Sequence, residues 1–195
     1  MGKIFCVLGK SSSGKDTIYK RLLKDERIAL RKIVPYTTRP IRAGEENGVE
    51  YFFTTKDELE ALKKQGKVIE CRSYQTYHGE WNYYTVEDKQ IDLASFNYII
   101  IGTLESFIEI TGYFGKDVVI PIYIGLDDGE RLQRALDREK KQEEPKYEEM
   151  CRRFLADQKD FSEEKLEAAG IEKIFYNINL ESCLDEISKY IENYI

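Results

Sequence analysis

Residues Gly9 to Thr17 read Gly-Lys-Ser-Ser-Ser-Gly-Lys-Asp-Thr, a set of types and spacings suited to holding phosphate. The apolar run Ile4 to Leu8 precedes them and Ile18-Tyr19-Lys20-Arg21-Leu22-Leu23 follows, so a buried strand is expected to turn through a glycine-hinged loop into a helix. In that order Gly9, Ser11, Ser12, Ser13 and Gly14 let backbone N–H groups curl around a β-phosphate at a helix N-terminus, where the helix dipole adds positive potential. The Lys15 ammonium then bridges the β and γ oxygens, which predicts a bound nucleoside triphosphate. Asp16 stands where a Ser or Thr hydroxyl usually meets magnesium. Either its carboxylate is a direct or water-mediated ligand of a hard cation, or Thr17 supplies the hydroxyl one residue later. A plain Gly/Ser-rich turn is the alternative, and the strand, loop and helix in their required order weigh against it.

A second concentration of chemistry lies between Tyr36 and Phe53, with Thr37, Thr38, Arg39, Arg42, Glu45 and Tyr51 in a short span. Paired guanidiniums match phosphate oxygens bidentately, so Arg39, Arg42 and Tyr51 suit the phosphate of a second substrate. A solvated turn with a structural arginine pair would look the same in isolation.

These residues need a frame. Apolar runs at Ile4 to Leu8, Tyr98 to Ile101, Val118 to Ile124 and Ile174 to Tyr176 read as buried strands. Helical stretches at Asp16 to Asp25, Leu104 to Tyr113, Gly129 to Arg138, Tyr147 to Phe161 and Leu180 to Tyr194 separate or follow them, which predicts a parallel sheet. The segment from about 36 to 88 differs: a Gly-rich turn at Ala43 to Gly48, a strand at Val49 to Phe53, and a capping box Thr55-Lys56-Asp57-Glu58 opening a helix that ends near Gly66. Strand-like pieces at Lys67 to Cys71 and Glu80 to Thr85 make it a small mixed insertion, and Pro121 is expected to interrupt the strand around it. The charged stretch 139–146 contains Pro145, joins two Arg-bearing helices and reads as a mobile lid.

A chain of 195 residues with 42% apolar content suits one domain with an insertion, here a core of 1–35 and 89–195 around 36–88. Net charge of −6 argues against broad nucleic-acid binding, and no stretch approaches the ~20 apolar residues that span a bilayer. With no signal-peptide pattern and four scattered cysteines, Cys6, Cys71, Cys151 and Cys183, the expected setting is the cytoplasm, with buried thiols and neither disulfides nor zinc. His78, the single histidine, reads as an exposed loop residue without a role. Nothing in the pattern specifies an oligomer.

The cradle and the run Thr37 to Phe53, which follows T-T-R-x-x-R-x-G-E-x-x-G-x-x-Y-x-F, closely resemble guanylate kinase over nearly the whole chain. The resemblance implies an α/β architecture: the P-loop NTPase three-layer fold with a parallel central sheet, an inserted mixed α+β monophosphate-binding subdomain and a helical lid. It implies ATP and Mg²⁺ with a nucleoside monophosphate, GMP or dGMP, as acceptor. Arg39, Arg42, Glu45 and Tyr51 then fall on the acceptor-phosphate site, and Glu70 matches the carboxylate that reads the purine edge. Tyr83 and Thr85 fall near the family's phosphate and base contacts. Arg134 and Arg138, with Arg153 or its neighbour Arg152, correspond to arginines that meet the triphosphate beside Lys15, and Asn177 to an adenine-side asparagine. Ion pairing with Glu139, Glu148 and Glu149 is the alternative use of the lid arginines.

The chain also departs from the pattern. Thr103 replaces an acidic acceptor contact, Tyr36 a serine and Tyr84 a glycine, and the segment between Tyr74 and Gly79 reads as an insertion. The guanine-reading carboxylate pair is thereby reduced to Glu70. Two alternatives follow: a kinase of another phosphorylated acceptor, such as ribose 1,5-bisphosphate, and a silent binding module of the same fold.

Overall fold

The computed structural model describes residues 1–76 and 79–195; the histidine read as an exposed loop residue, His78, lies outside them. Five strands form the core sheet: β1 (Ile4–Leu8), β2 (Arg31–Lys32), β7 (Tyr98–Ile101), β8 (Val119–Gly125) and β9 (Ile174–Tyr176). Their order is β2-β7-β1-β8-β9 and every pairing is parallel. β1 is wholly buried because both faces are covered. Ile4, Cys6 and Leu8 pack on one side with Leu104, Phe107 and Ile110, while Phe5 and Val7 pack on the other with Ile18, Leu22 and Ile187. That is why it reads as an unbroken apolar run and not as an alternation. The covering helices are α3 (Leu104–Phe114) on the first face, and α1 (Lys15–Leu22) and α7 (Leu180–Glu192) on the second.

A second sheet, of order β4-β3-β6-β5, is built from β3 (Tyr36–Thr37), β4 (Phe52–Phe53), β5 (Val68–Thr76) and β6 (Gly79–Val86), with α2 (Lys56–Lys64) beside it. The capping box opens α2 as its sequence predicts: Thr55 Oγ1 accepts from the Glu58 N–H at 3.2 Å, and Glu58 Oε2 accepts from the Thr55 N–H at 2.7 Å. Two helices, α4 (Asp128–Glu139) and α5 (Tyr147–Asp160), flank the charged turn, and the short α6 (Glu163–Ala168) follows.

Several expectations are corrected. The strand through Pro121 is continuous: Pro121 pairs with Cys6 on one side, and β9 begins only opposite Tyr123, so no strand stands against the proline on the other. The expected strand Val49 to Phe53 shrinks to Phe52–Phe53, because residues 48–50 form a turn closed by the Gly48 N–H on the Tyr51 carbonyl at 2.8 Å, and Tyr51 makes only an isolated bridge to Asn47. The β5 and β6 pieces extend into the segment read as an insertion, pairing as far as Thr76 with Gly79. Cys6 and Cys183 are buried thiols, but Cys71 is half-buried and Cys151 exposed. Among the described residues no helix is long and apolar enough to cross a membrane.

Candidate active site

The cradle leaves the C-terminal end of β1, the edge of a parallel sheet at which ligands bind in such folds. Its backbone is forced into shape at three points. Gly9 admits no side chain, since a Cβ would stand 2.6 Å from the Ile124 carbonyl oxygen. Ser12 takes φ 64°, a left-handed conformation unusual for a residue with a Cβ. Gly14 has φ 89°, and a Cβ there would fall 2.2 Å from Asn177 Nδ2. Asn177 is buried and donates to the Ser13 carbonyl at 2.8 Å, so it holds the loop from beneath. The Ser12 and Ser13 hydroxyls are buried and unpaired. An unsatisfied buried hydroxyl costs about 1–3 kcal/mol, which a phosphate oxygen would restore.

Lys15 opens α1, and burial pushes its ammonium below the ordinary lysine value, against the opposing pull of Asp16 and Asp157. Its Nζ lies 3.9 Å from the Asp16 carboxylate, and both Asp16 and Thr17 are exposed. A carboxylate and a hydroxyl at the mouth of the cradle, beside the unpaired Ser13 hydroxyl, are hard oxygen donors that fit Mg²⁺. Among the described residues no group of three or more His, Cys, Asp or Glu could hold a metal. Any ion there would share its coordination with phosphate and water.

Two helices, α4 and α5, fasten to the loop. Arg131, 1% exposed, donates from Nε to the Ser11 carbonyl at 3.0 Å and from Nη2 to Asp157 Oδ2 at 3.0 Å. Asp157 in turn accepts the Ser11 N–H at 2.7 Å, so α4 and α5 grip one peptide of the cradle together. Neither Arg131 nor Asp157 was predicted from the sequence. Both repeat at helical spacing from residues that were: Arg131 lies one turn before Arg134, and Asp157 one turn after Arg153. Arg153 reaches the Ser11 hydroxyl at 3.3 Å, whereas Arg152 pairs with Glu149 at 2.7 Å on the solvent side, which separates the two candidates. Arg134 donates to the Asn177 carbonyl at 3.4 Å. Arg138 faces a cavity of about 360 Å³ that Ser11, Ser12, Arg42, Arg131 and Arg153 also line. Glu139 accepts the Lys146 N–H at 2.7 Å and so closes the turn between the helices.

Across that cavity stands the inserted subdomain. Arg39 is buried and gives both Nη atoms to Glu45, at 2.7 and 2.5 Å, with Tyr51 and Phe53 rings 5.1 and 5.4 Å from its guanidinium carbon. The Arg39 hydrogen bonds hold the Glu45 carboxyl down at about 2. Glu45 also accepts the Arg42 N–H at 2.9 Å, leaving the Arg42 side chain exposed toward the cavity. Tyr51 and Tyr83 meet edge to face at 5.6 Å.

Deeper in, Thr85 donates to Glu70 Oε1 at 2.8 Å, and Arg72, two residues along the same strand face, bonds Glu70 Oε2 through Nε at 2.9 Å. Burial pushes the Glu70 carboxyl above its ordinary value, against the pull of Arg72. Thr103 caps α3 by accepting the Ser106 N–H at 3.2 Å and lies 3.4 Å from Arg72 Nη1. A second cavity, of about 910 Å³, runs between the core and this hairpin and is lined by Gly9, Lys15, Tyr74, Thr103 and Arg153 among others. The two departures Tyr36 and Tyr84 do not enter the site. They are cross-strand partners, stacked with ring centroids 5.4 Å apart on the opposite face of the small sheet.

The guanylate kinase family model matches residues 1–101 of the chain, more than half of it. The chain belongs to the guanylate kinase family. The match ends one residue before Gly102-Thr103, where the acidic contact of the resemblance is missing. Among curated proteins the chain is similar to the guanylate kinase of Oceanobacillus iheyensis, 33% identical over 123 residues; the alignment covers 63% of this chain and 48%, under half, of that relative. Among solved structures it is similar to guanylate kinase from Anaplasma phagocytophilum, with a TM-score of 0.68 at 19% identity over 98% of this chain and 85% of that one. The α/β architecture expected of the family, with its parallel core sheet and separate mixed sheet, is the one observed.

Proposed function

We propose that this chain transfers the γ-phosphoryl group of ATP to the phosphate of a purine nucleoside monophosphate, with GMP and dGMP as acceptors. The observation that carries the reading is the cavity of about 360 Å³ in which Arg42 of the insertion meets Ser11 and Ser12 of the cradle and Arg131, Arg138 and Arg153 of the lid helices. Four guanidiniums around one space suit a reaction whose transition state spreads charge over phosphoryl oxygens.

In this reading the cradle amides and Lys15 hold the β and γ phosphates, with the Ser12 and Ser13 hydroxyls as further donors and Asn177 fixing the loop. Asp16 and Thr17 would hold Mg²⁺, which would supply charge neutralisation on the donor phosphates. Arg134, Arg138 and Arg153 offset charge on the transferring group, while Arg42 and Tyr51, set by the Arg39–Glu45 pair, align the acceptor phosphate for in-line attack. The acceptor is already an anion, so no general base is required. A lid over 139–146 that closes on both substrates would exclude water and suppress hydrolysis of ATP. Four free cysteines agree with a cytoplasmic setting.

The test is a coupled ADP-release assay with ATP and Mg²⁺, offering GMP, dGMP, AMP, CMP, UMP, dTMP and ribose 1,5-bisphosphate. Turnover with GMP and dGMP is expected. Turnover with the sugar phosphate alone, or with no acceptor while ATP still binds, overturns the proposal. Lys15→Ala should lower kcat by about 100-fold or more, as loss of a preorganised charge-stabilising donor does.

A further inference from the structure

At the inner end of the proposed acceptor site the less buried group is not the one that the family pattern leads one to expect. The Glu70 side chain is only 1% exposed, whereas that of Arg72, lying against it, is 12% exposed. Glu70 is also nearly saturated. A carboxylate offers about four lone-pair sites. Oε1 accepts from Thr85 at 2.8 Å and from Arg72 Nη2 at 3.4 Å, and Oε2 accepts from Arg72 Nε at 2.9 Å. Guanine needs two acceptors there, one for its N1–H and one for its 2-amino group, and at most one site remains.

The surroundings complete the inversion. Arg72 Nη1 reaches Thr103 Oγ1 at 3.4 Å, and Thr103 stands where a second carboxylate would take the 2-amino group. Thr103 and Tyr74 line the larger cavity, and the Tyr74 hydroxyl lies within hydrogen-bonding reach of Arg72. A base entering from that cavity therefore meets the Tyr74 and Thr103 hydroxyls, with the Arg72 guanidinium directly behind Thr103. These are donors, or groups that can act as donors, and they match an oxo group better than an amino group.

We infer that Arg72 sets acceptor specificity by covering Glu70 and reading the 6-oxo group, so that the site takes 6-oxopurine nucleoside monophosphates with or without the 2-amino group. This rests on the proposed acceptor site but not on catalysis, and it is testable by binding alone. Adenine, which presents an amino group at position 6, is rejected by the same donors.

The experiment is calorimetric titration of the intact protein with GMP, inosine monophosphate and AMP, repeated with Arg72→Ala and Arg72→Gln. In the unaltered protein GMP and inosine monophosphate should bind within about tenfold of each other, with AMP at least tenfold weaker, since one hydrogen bond to a charged group is worth about a factor of ten or more. Both variants uncover Glu70 and should raise the preference for GMP over inosine monophosphate about tenfold, a ratio that mere loss of packing would not move. A preference for GMP beyond about 100-fold in the unaltered protein, or a ratio unchanged in a folded variant, overturns the inference; the first needs no variant to fold. Binding that follows this pattern without any phosphoryl transfer would support it while overturning the kinase reading. Failure of all three nucleotides to bind would overturn both.

Discussion

Arg39 and Arg42 sit three residues apart in one phosphate-suited run, yet their surroundings are opposite. Arg39 is 3% exposed and spends its guanidinium on Glu45 and the Pro40 carbonyl, while the Arg42 side chain is exposed at the cavity wall. Arg42→Ala should therefore raise the acceptor KM with little loss of stability. Arg39→Ala should cost about 3 kcal/mol, the lower end for breaking a buried ion pair. Denaturant unfolding beside steady-state kinetics separates the two. The same pair sets an acid limit. The Glu45 carboxyl is held from an ordinary 4.5 down to about 2 in the folded chain, so its contribution is complete above about 4.5 and is lost as pH falls toward 2. Glu45→Gln should flatten that part of the stability-against-pH curve, measured by urea unfolding between pH 5 and 2. Asp25, held at about 2 by Arg27, accounts for part of the slope that remains.

The element that matters most is the turn from β1 into α1. A β-strand buried on both faces and a helix that starts at Lys15 leave six residues to make the cradle, and the chain does so by bending through Gly9, Ser12 and Gly14. At Gly14 two constraints coincide: a left-handed φ and the Asn177 amide against the position a Cβ would fill. Gly14→Ala should cost about 1–2 kcal/mol from the left-handed backbone alone and displace Asn177. ATP affinity should fall more than acceptor affinity, read by titrating each ligand separately. The small sheet tells a complementary story. Tyr36 and Tyr84 replace small residues of the family pattern without filling the site, because neighbouring residues on a strand point to opposite faces. Tyr83 and Thr85 lie on the other face, against Tyr51 and Glu70, while Tyr84 is buried in the subdomain's core with its hydroxyl 2.7 Å from Thr54 Oγ1.

At the scale of the whole molecule, α4 and α5 are joined to the cradle by side chains far apart in the chain. Arg131 and Asp157 come from different helices and meet on the Ser11 peptide, so both helices are hydrogen-bonded to the cradle. Arg131→Met keeps the buried volume and removes the link. It should destabilise the protein by about 3 kcal/mol, since it leaves Asp157 partly buried without its cation. It should also raise the KM for ATP more than that for the acceptor, a split that thermal unfolding and two-substrate kinetics would reveal.

What the sequence determined by itself is whatever is contiguous or periodic. The cradle is nine consecutive residues, the run Thr37 to Phe53 lies within one stretch from β3 to β4, and the buried strands and the capping box of α2 follow from hydrophobic pattern and local hydrogen bonding. Short strands such as β2 and β3, two residues each, carry too little pattern to register and exist because longer neighbours pair with them. Tertiary structure decided which polar groups meet. Ser11 and Arg131 are 120 positions apart, and Ser11 and Asp157 146, so nothing local in the chain encodes their bonds. Arg72 covering Glu70 was legible only as an i, i+2 spacing on a strand, and its reach to Thr103 needed the packing of β5 against α3. Pattern sets where backbone goes because propensity and burial are local or periodic, whereas the chemistry of the proposed acceptor pocket depends on side chains that only chain reversal and sheet pairing bring together.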